Sequence, residues 1–202
     1  MSLLKNIYSS TNPEKDIGTK LYRALYESNK DKLVELIETY NIDINKFVAF
    51  SNSNSILINA TDCSSESRNS KEQIDIINYL IDSNVNINWK NKYGYSALHI
   101  ALEYHDLSKI ALVLIKSGRI EINEAEEKNG NSPIFTAIRE YNKTWREEQK
   151  ALNQLRLEII EELLKLGANL DQLNNHGISS RRWIQISEDE KLHSLIKKYD
   201  KK

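Results

Sequence analysis

The chain has a single cysteine, Cys63, and only two prolines and six glycines among its 202 residues. One cysteine rules out an intramolecular disulfide and any zinc site built from several thiolates. It is also the usage expected of a reducing, cytoplasmic compartment. No run of about 18 apolar residues is present, so no membrane-spanning helix is expected. The opening residues, MSLLKNIYSS, lack the basic stretch followed by an apolar run that marks a secretory signal. Charge of one sign is missing too: 28 Lys and Arg stand against 29 Asp and Glu. A balance of this kind argues against nucleic acid as the main partner, because phosphate binding needs a basic surplus or stripe. Phosphate-cradling loops, dinucleotide fingerprints and kinase signatures are likewise absent.

What is present is repetition. Three turn glycines, Gly94, Gly130 and Gly177, lie 36 and 47 residues apart. Ala24, Ala60, Ala101 and Ala137 recur inside short apolar helical patterns, with Ile184 in the same place at the end. Asn45, Asn88, Asn123 and Asp171 close successive units. The apolar positions within each unit fall at helical spacing, as in Ala24, Leu25, Leu33, Leu36 and Ile37. Thr11-Asn12-Pro13 reads as a turn or cap before the first helix.

The stretch from Asn91 to Ala101, NKYGYSALHIA, followed by a helical run and Ile120-Glu-Ile-Asn123, resembles the central unit of an ankyrin repeat. The resemblance covers residues 20–199 and is most specific around 89–123 and 124–171. It implies an all-α solenoid of about five helix-turn-helix units, near 20–45, 46–88, 89–123, 124–171 and 172–199, after a lead-in over 1–19. Such units cannot bury their apolar stripes alone and do so by stacking. The glycine spacings exceed the usual period of about 33, so two insertions are expected. One is the Ser-rich loop near 61–73; the other, near 141–156, is rich in helix formers and extends both helices of its pair.

The resemblance shifts expectation towards binding and away from catalysis, with no cofactor and no metal. His99, in the Ser-Ala-Leu-His segment, is implied to be a structural histidine bonding between neighbouring turns. No nucleophile or carboxylate surrounds it as a triad would require. Cys63 reads as an incidental thiol in a polar loop, because nothing near it in sequence would activate it. The acidic runs at 124–128 and 187–191 do not follow calcium-loop spacing; they read as a hairpin finger and a helix N-terminus. Arg181-Arg182-Trp183 reads as a salt-bridging cap rather than a nucleic-acid contact.

In ankyrin repeats the partner usually meets the hairpin tips and the exposed inner-helix positions of the concave face. Carried onto this sequence, the third unit offers Lys92, Tyr93 and Tyr95 at its tip and Glu103 and Tyr104 on its helix. The fourth offers Lys128, Asn129, Asn131, Arg139 and Glu140. The fifth offers Asn175, His176 and Ile178, and the second Ser51, Asn52, Asn54 and Asp62. Tyr141 and Trp145, in the insertion, are either anchors or packed within the lengthened pair. Tyrosine is the sharpest signal, since it brings contact area with little loss of side-chain freedom. The expected role is non-catalytic protein binding by a cytoplasmic monomer, with no nucleic-acid or membrane partner. An immunity or inhibitor protein neutralising a toxin or enzyme is one form of that role. An adaptor or effector engaging host or regulatory proteins is the alternative.

Overall fold

A computed structural model describes residues 13–46, 48–49 and 53–199. Thr11, Asn12, Ser51 and Asn52, expected as a cap signal and as tip contacts, lie outside the described residues. The chain forms two compact units, residues 1–86 and 87–202.

The first unit holds α1 (Pro13–Tyr26), α2 (Lys30–Thr39), a short antiparallel pair β1 (Val48–Ala49) and β2 (Asn54–Ser55), then α3 (Ile56–Thr61) and α4 (Lys71–Asp82). α1 begins at Pro13, inside the stretch expected as lead-in. Side-chain oxygens of Asn29, Ser55 and Ser70 accept backbone N–H groups at the starts of α2, α3 and α4, supplying partners that a helix start lacks. Leu21, Leu25, Leu33, Ile56, Ile58, Ile77 and Leu80 form its core. The inserted loop at 62–70 is tied down at several points. Asp62 pairs with Arg68 at 2.9 Å, and the Ser64 N–H donates to the Tyr26 carbonyl. Gln73, fully buried, donates to the carbonyls of Ala60 and Thr61 at the end of α3. Cys63 sits in this loop as expected, but its side chain is buried, and burial pushes the thiol above its ordinary range.

The second unit runs α5 (Ala97–Glu103), a 3-10 turn (His105–Leu107), α6 (Ser108–Lys116), α7 (Pro133–Tyr141), a second 3-10 turn (Glu147–Gln149), α8 (Lys150–Lys165), α9 (Ser180–Gln185) and α10 (Glu190–Tyr199). α5, α7 and α9 pack in succession, and α6, α8 and α10 back them. Ala101 and Ala137 are fully buried, which lets successive inner helices approach closely. The core continues through Leu102, Ile110, Leu114, Ile134, Ile138, Ile159, Leu163 and Leu192. Of the expected lengthening of both helices of the fourth pair, only that of the second is present: α8 has 16 residues where α6 has 9, whereas α7 ends at Tyr141 after 9 residues, where the insertion begins. Among the described residues no helix is long and apolar enough to cross a membrane.

Candidate functional site

The site is built on the three hairpin loops of the second unit and the inner helices that follow them. Each loop is braced by one side chain. In the first, Asn91 Oδ1 accepts the N–H groups of Tyr93 and Tyr95. In the third, Asn174 Oδ1 accepts those of His176 and Ile178. The second loop is one residue longer between equivalent ends, with the Glu126 N–H donating to the Asn131 carbonyl. There the buried carboxylate of Glu126 accepts the N–H groups of Asn129 and Asn131. The extra methylene of glutamate spans the extra backbone.

The loops are packed against one another. A Cβ on Gly94 would lie 2.4 Å from Glu127 Cγ, and one on Gly130 would lie 2.4 Å from Asn175 Oδ1. Both glycines also have positive φ, so they meet a conformational and a steric requirement at once. Asn175 closes the contact by donating from its backbone N–H to the Asn129 carbonyl at 2.8 Å.

A second set of bonds registers the loop bases. The side chains of the closing asparagines each donate to one carbonyl and accept one N–H from the next loop. Asn45 does so with Asn84 and Asn86, Asn88 with Arg119 and Glu121, and Asn123 with Gly167 and Asn169. At the last position Asp171 accepts instead from Arg181 Nε at 2.5 Å. The basic cluster is thus a salt-bridged cap at Arg181.

His99 makes the inter-turn bond implied for it, but the expectation that no nucleophile surrounds it is corrected: the Ser96 hydroxyl lies 2.8 Å from its ring as the helix N-cap. Its Nε2 lies 3.0 Å from the Glu124 carbonyl, and its Nδ1 faces the Ser96 hydroxyl and N–H. Only the neutral ring, protonated at Nε2, satisfies all three contacts. Burial holds the ring below the ordinary imidazole range.

The expected contact residues divide sharply. Lys92, Tyr93, Glu103, Tyr104, Lys128, Trp145 and His176 are exposed. Tyr93 and Tyr104 are 55% and 47% exposed and Trp145 is 77% exposed. Tyr95, Asn129 and Arg139 are half-buried. Asn131, Glu140 and Tyr141 are buried, and the expectation that they offer contact surface is corrected. Asn131 is held in the loop core by Glu126 and Asn174. Glu140 accepts from Arg139 Nε at 2.9 Å and Lys143 Nζ at 2.6 Å, while Arg139 also reaches Glu103. Tyr141 takes the packed alternative. Its hydroxyl donates to Asp189 Oδ2 at 2.8 Å, and burial together with this bond pushes the phenol above its ordinary range. Burial opposes ionisation of Asp189, but the bonds from Tyr141 and from the N–H groups of Leu192 and Lys191 outweigh it and hold the carboxyl low.

One residue was not singled out from the sequence. Arg156 is fully buried, and its guanidinium donates to the carbonyls of Leu102 at 2.6 Å and Tyr104 at 2.7 Å. A cation placed on the last carbonyls of α5 meets the negative end of the helix dipole and fixes the backbone that carries Tyr104. Burial pushes Arg156 down to about 10, with Glu140, Glu103 and Asp106 opposing. The sequence signal was there: an arginine three and four residues before the buried Ile159 and Ile160 lies on the apolar face of α8.

The family model for ankyrin repeats (three copies) matches residues 67–174. No curated protein matches the chain. The repeated glycine-braced loops, serine-capped inner helices and the matched segment together place the chain in the ankyrin repeat family, whose repeats are in general protein–protein interaction modules and typically non-catalytic.

Proposed function

We propose that this protein binds one specific protein through the loop tips and inner-helix positions of its second unit. In this reading it acts as a cytoplasmic inhibitor of the immunity type, covering a working surface of a toxin or enzyme. The observation that carries the reading is the contrast along α5. Tyr93 and Tyr104 stand exposed before and after this helix, while His99 within it and the neighbouring Glu126, Glu140 and Arg156 are engaged in structural bonds. Such a face offers aromatic contact area, and the named acidic and basic groups beside it are held in structural bonds. A surface fixed in advance loses little side-chain freedom on binding, and large aromatic side chains dominate many interfaces.

The test is a double substitution, Tyr93→Ala with Tyr104→Ala, assayed against the protein recovered from native cells. Affinity is expected to fall about a hundredfold, as loss of two hot-spot side chains does, with the melting temperature unchanged. Retained affinity, or a large fall in melting temperature, contradicts the proposal. Inhibition is tested separately, by whether the recovered partner has an activity that the protein suppresses at equal concentration. Several unrelated partners with no suppressed activity point to the adaptor reading.

A further inference from the structure

We infer that the open end of the loop row, at Leu173, Gly177 and Arg182, is the docking place for a tight turn of the partner protein that seats an asparagine on Gly177. The inference deepens the reading of the second unit as a partner-binding surface and rests on it. The contacts between successive loops carry it. Three positions around the loop at 91–95 meet the loop that follows. Lys90 Nζ donates to the Ala125 carbonyl at 3.0 Å, Gly94 lies under the backbone nitrogen and side chain of Glu127, and His99 Nε2 donates to the Glu124 carbonyl. At the same spacing around the loop at 174–178 stand Leu173, Gly177 and Arg182. All three are exposed, Leu173 by 64%, and a Cβ on Gly177 would meet nothing within 4 Å.

The chemistry of the occupant is set by the seat one loop earlier. Gly130 is covered by the backbone nitrogen and side chain of Asn175. The Asn175 N–H donates to the Asn129 carbonyl, the one before the glycine, at 2.8 Å. Its side-chain amide donates to the carbonyls of Glu127 and Lys128. One asparagine thus serves three carbonyls of the loop that it covers, which its backbone N–H and two amide hydrogens allow. At the end of the row the matching carbonyl, that of His176, accepts no hydrogen bond among the described residues. The base of the row is closed there, because Arg181 holds Asp171 where each earlier closing asparagine bonds the next loop. A second copy of this chain does not supply the turn. Its loops at 126–131 and 174–178 already have Glu127 and Asn175 seated, and its loop at 91–95 carries Lys92 at that place. Main-chain bonds give such a contact its affinity, and the side chains meeting Gly177 and Leu173 give it selectivity.

The test uses the turn that the row itself seats on Gly130. A peptide with the sequence Leu173–Ser179, cyclised head to tail through a glycine linker, is titrated into the isotope-labelled full chain and followed by NMR. Amide shifts are expected at His176, Gly177 and Arg182, with none at Tyr93 or Tyr104. A peptide with alanine in place of Asn175 is expected to bind about tenfold more weakly, the scale of one or two lost hydrogen bonds. Gly177→Ala in the protein is expected to abolish binding, since its Cβ fills the seat. Leu173→Ser, which alters only an exposed side chain, is expected to weaken it about fivefold at unchanged melting temperature. The same Leu173→Ser variant is expected to weaken the protein recovered from native cells by a similar factor. Shifts absent or centred elsewhere, an alanine peptide that binds like the parent, or a recovered partner indifferent to Leu173→Ser overturns the inference. None of these outcomes alters the tyrosine test. Conversely, a failed tyrosine test with the peptide seated on Gly177 and the recovered partner sensitive to Leu173→Ser removes the tyrosine-based reading alone.

Discussion

The loops at 91–95 and 126–131 reach the same bonding pattern by different means. Asn91 braces the shorter loop with one carbonyl oxygen that accepts two N–H groups. Glu126 braces the longer loop with a buried carboxylate. The third loop, at 174–178, returns to asparagine and to the shorter length. The comparison teaches that reach, rather than residue type, is what the position requires. One methylene in the side chain compensates one residue in the backbone. The compensation has a consequence, since the longer loop depends on a buried charge and the shorter one does not.

The largest expected effect comes from removing the close packing that the loops share. Gly94→Ala and Gly130→Ala each place a Cβ within 3 Å of backbone and side-chain atoms at a positive φ. Each is expected to destabilise by about 3 kcal/mol, combining left-handed strain with overpacking. Gly177→Ala has the same backbone conformation but nothing within 4 Å, so about 1 kcal/mol is expected from strain alone. Urea denaturation of the three variants separates the two contributions; equal losses would show that loop-to-loop packing contributes nothing.

Shortening the brace comes next. Glu126→Asp keeps the charge but loses the reach, and about 2 kcal/mol is expected, the range for bonds to a charged acceptor. Asn91→Ala is expected to lose about 1 kcal/mol, since its bonds are neutral. If Glu126→Asp loses no more than Asn91→Ala, the reach of the glutamate is not what the longer loop requires. Tyr141→Phe is expected to lose about 1 kcal/mol, the net worth of its bond to Asp189, with no change in partner affinity.

The smallest effect is a pH dependence. The folded value of His99 lies below its unfolded value of about 6.5, chiefly through burial. The unfolded chain therefore binds more protons in the window just below that value. The stabilisation is complete above about 6.5 and is lost as pH falls through the window towards the folded value. His99→Gln is expected to flatten this slope; an unchanged slope assigns it to another group.

Much of the fold was legible because its signals are local. Gly94 and Gly130 mark turns of positive φ, Ser96 and Ser132 cap the helices that follow them, and the helix formers after Lys150 made α8 long. The closing asparagines were legible as markers, although the bonds that they make to the next loop were not. The face itself was only partly legible. Spacing placed Tyr93 and Tyr104 at the surface, but it could not distinguish Lys128 from Asn131, because burial of Asn131 depends on a glutamate five residues away and on Asn174 in the next loop. Tyr141 likewise is committed by an aspartate 48 residues downstream. Arg156 was missed because its partners are backbone carbonyls more than 50 residues upstream.

The most direct test of the binding face is site-specific photo-crosslinking in native cells. One photoreactive residue replaces Tyr93 at a loop tip, and another replaces Lys165, exposed at the end of α8. A single protein joined at position 93 and absent at position 165, with the adduct lost when Tyr104→Ala is added, is the result expected. Equal adducts at both positions, or a position-93 adduct that Tyr104→Ala leaves intact, would contradict a binding surface built on the loop tips and inner helices.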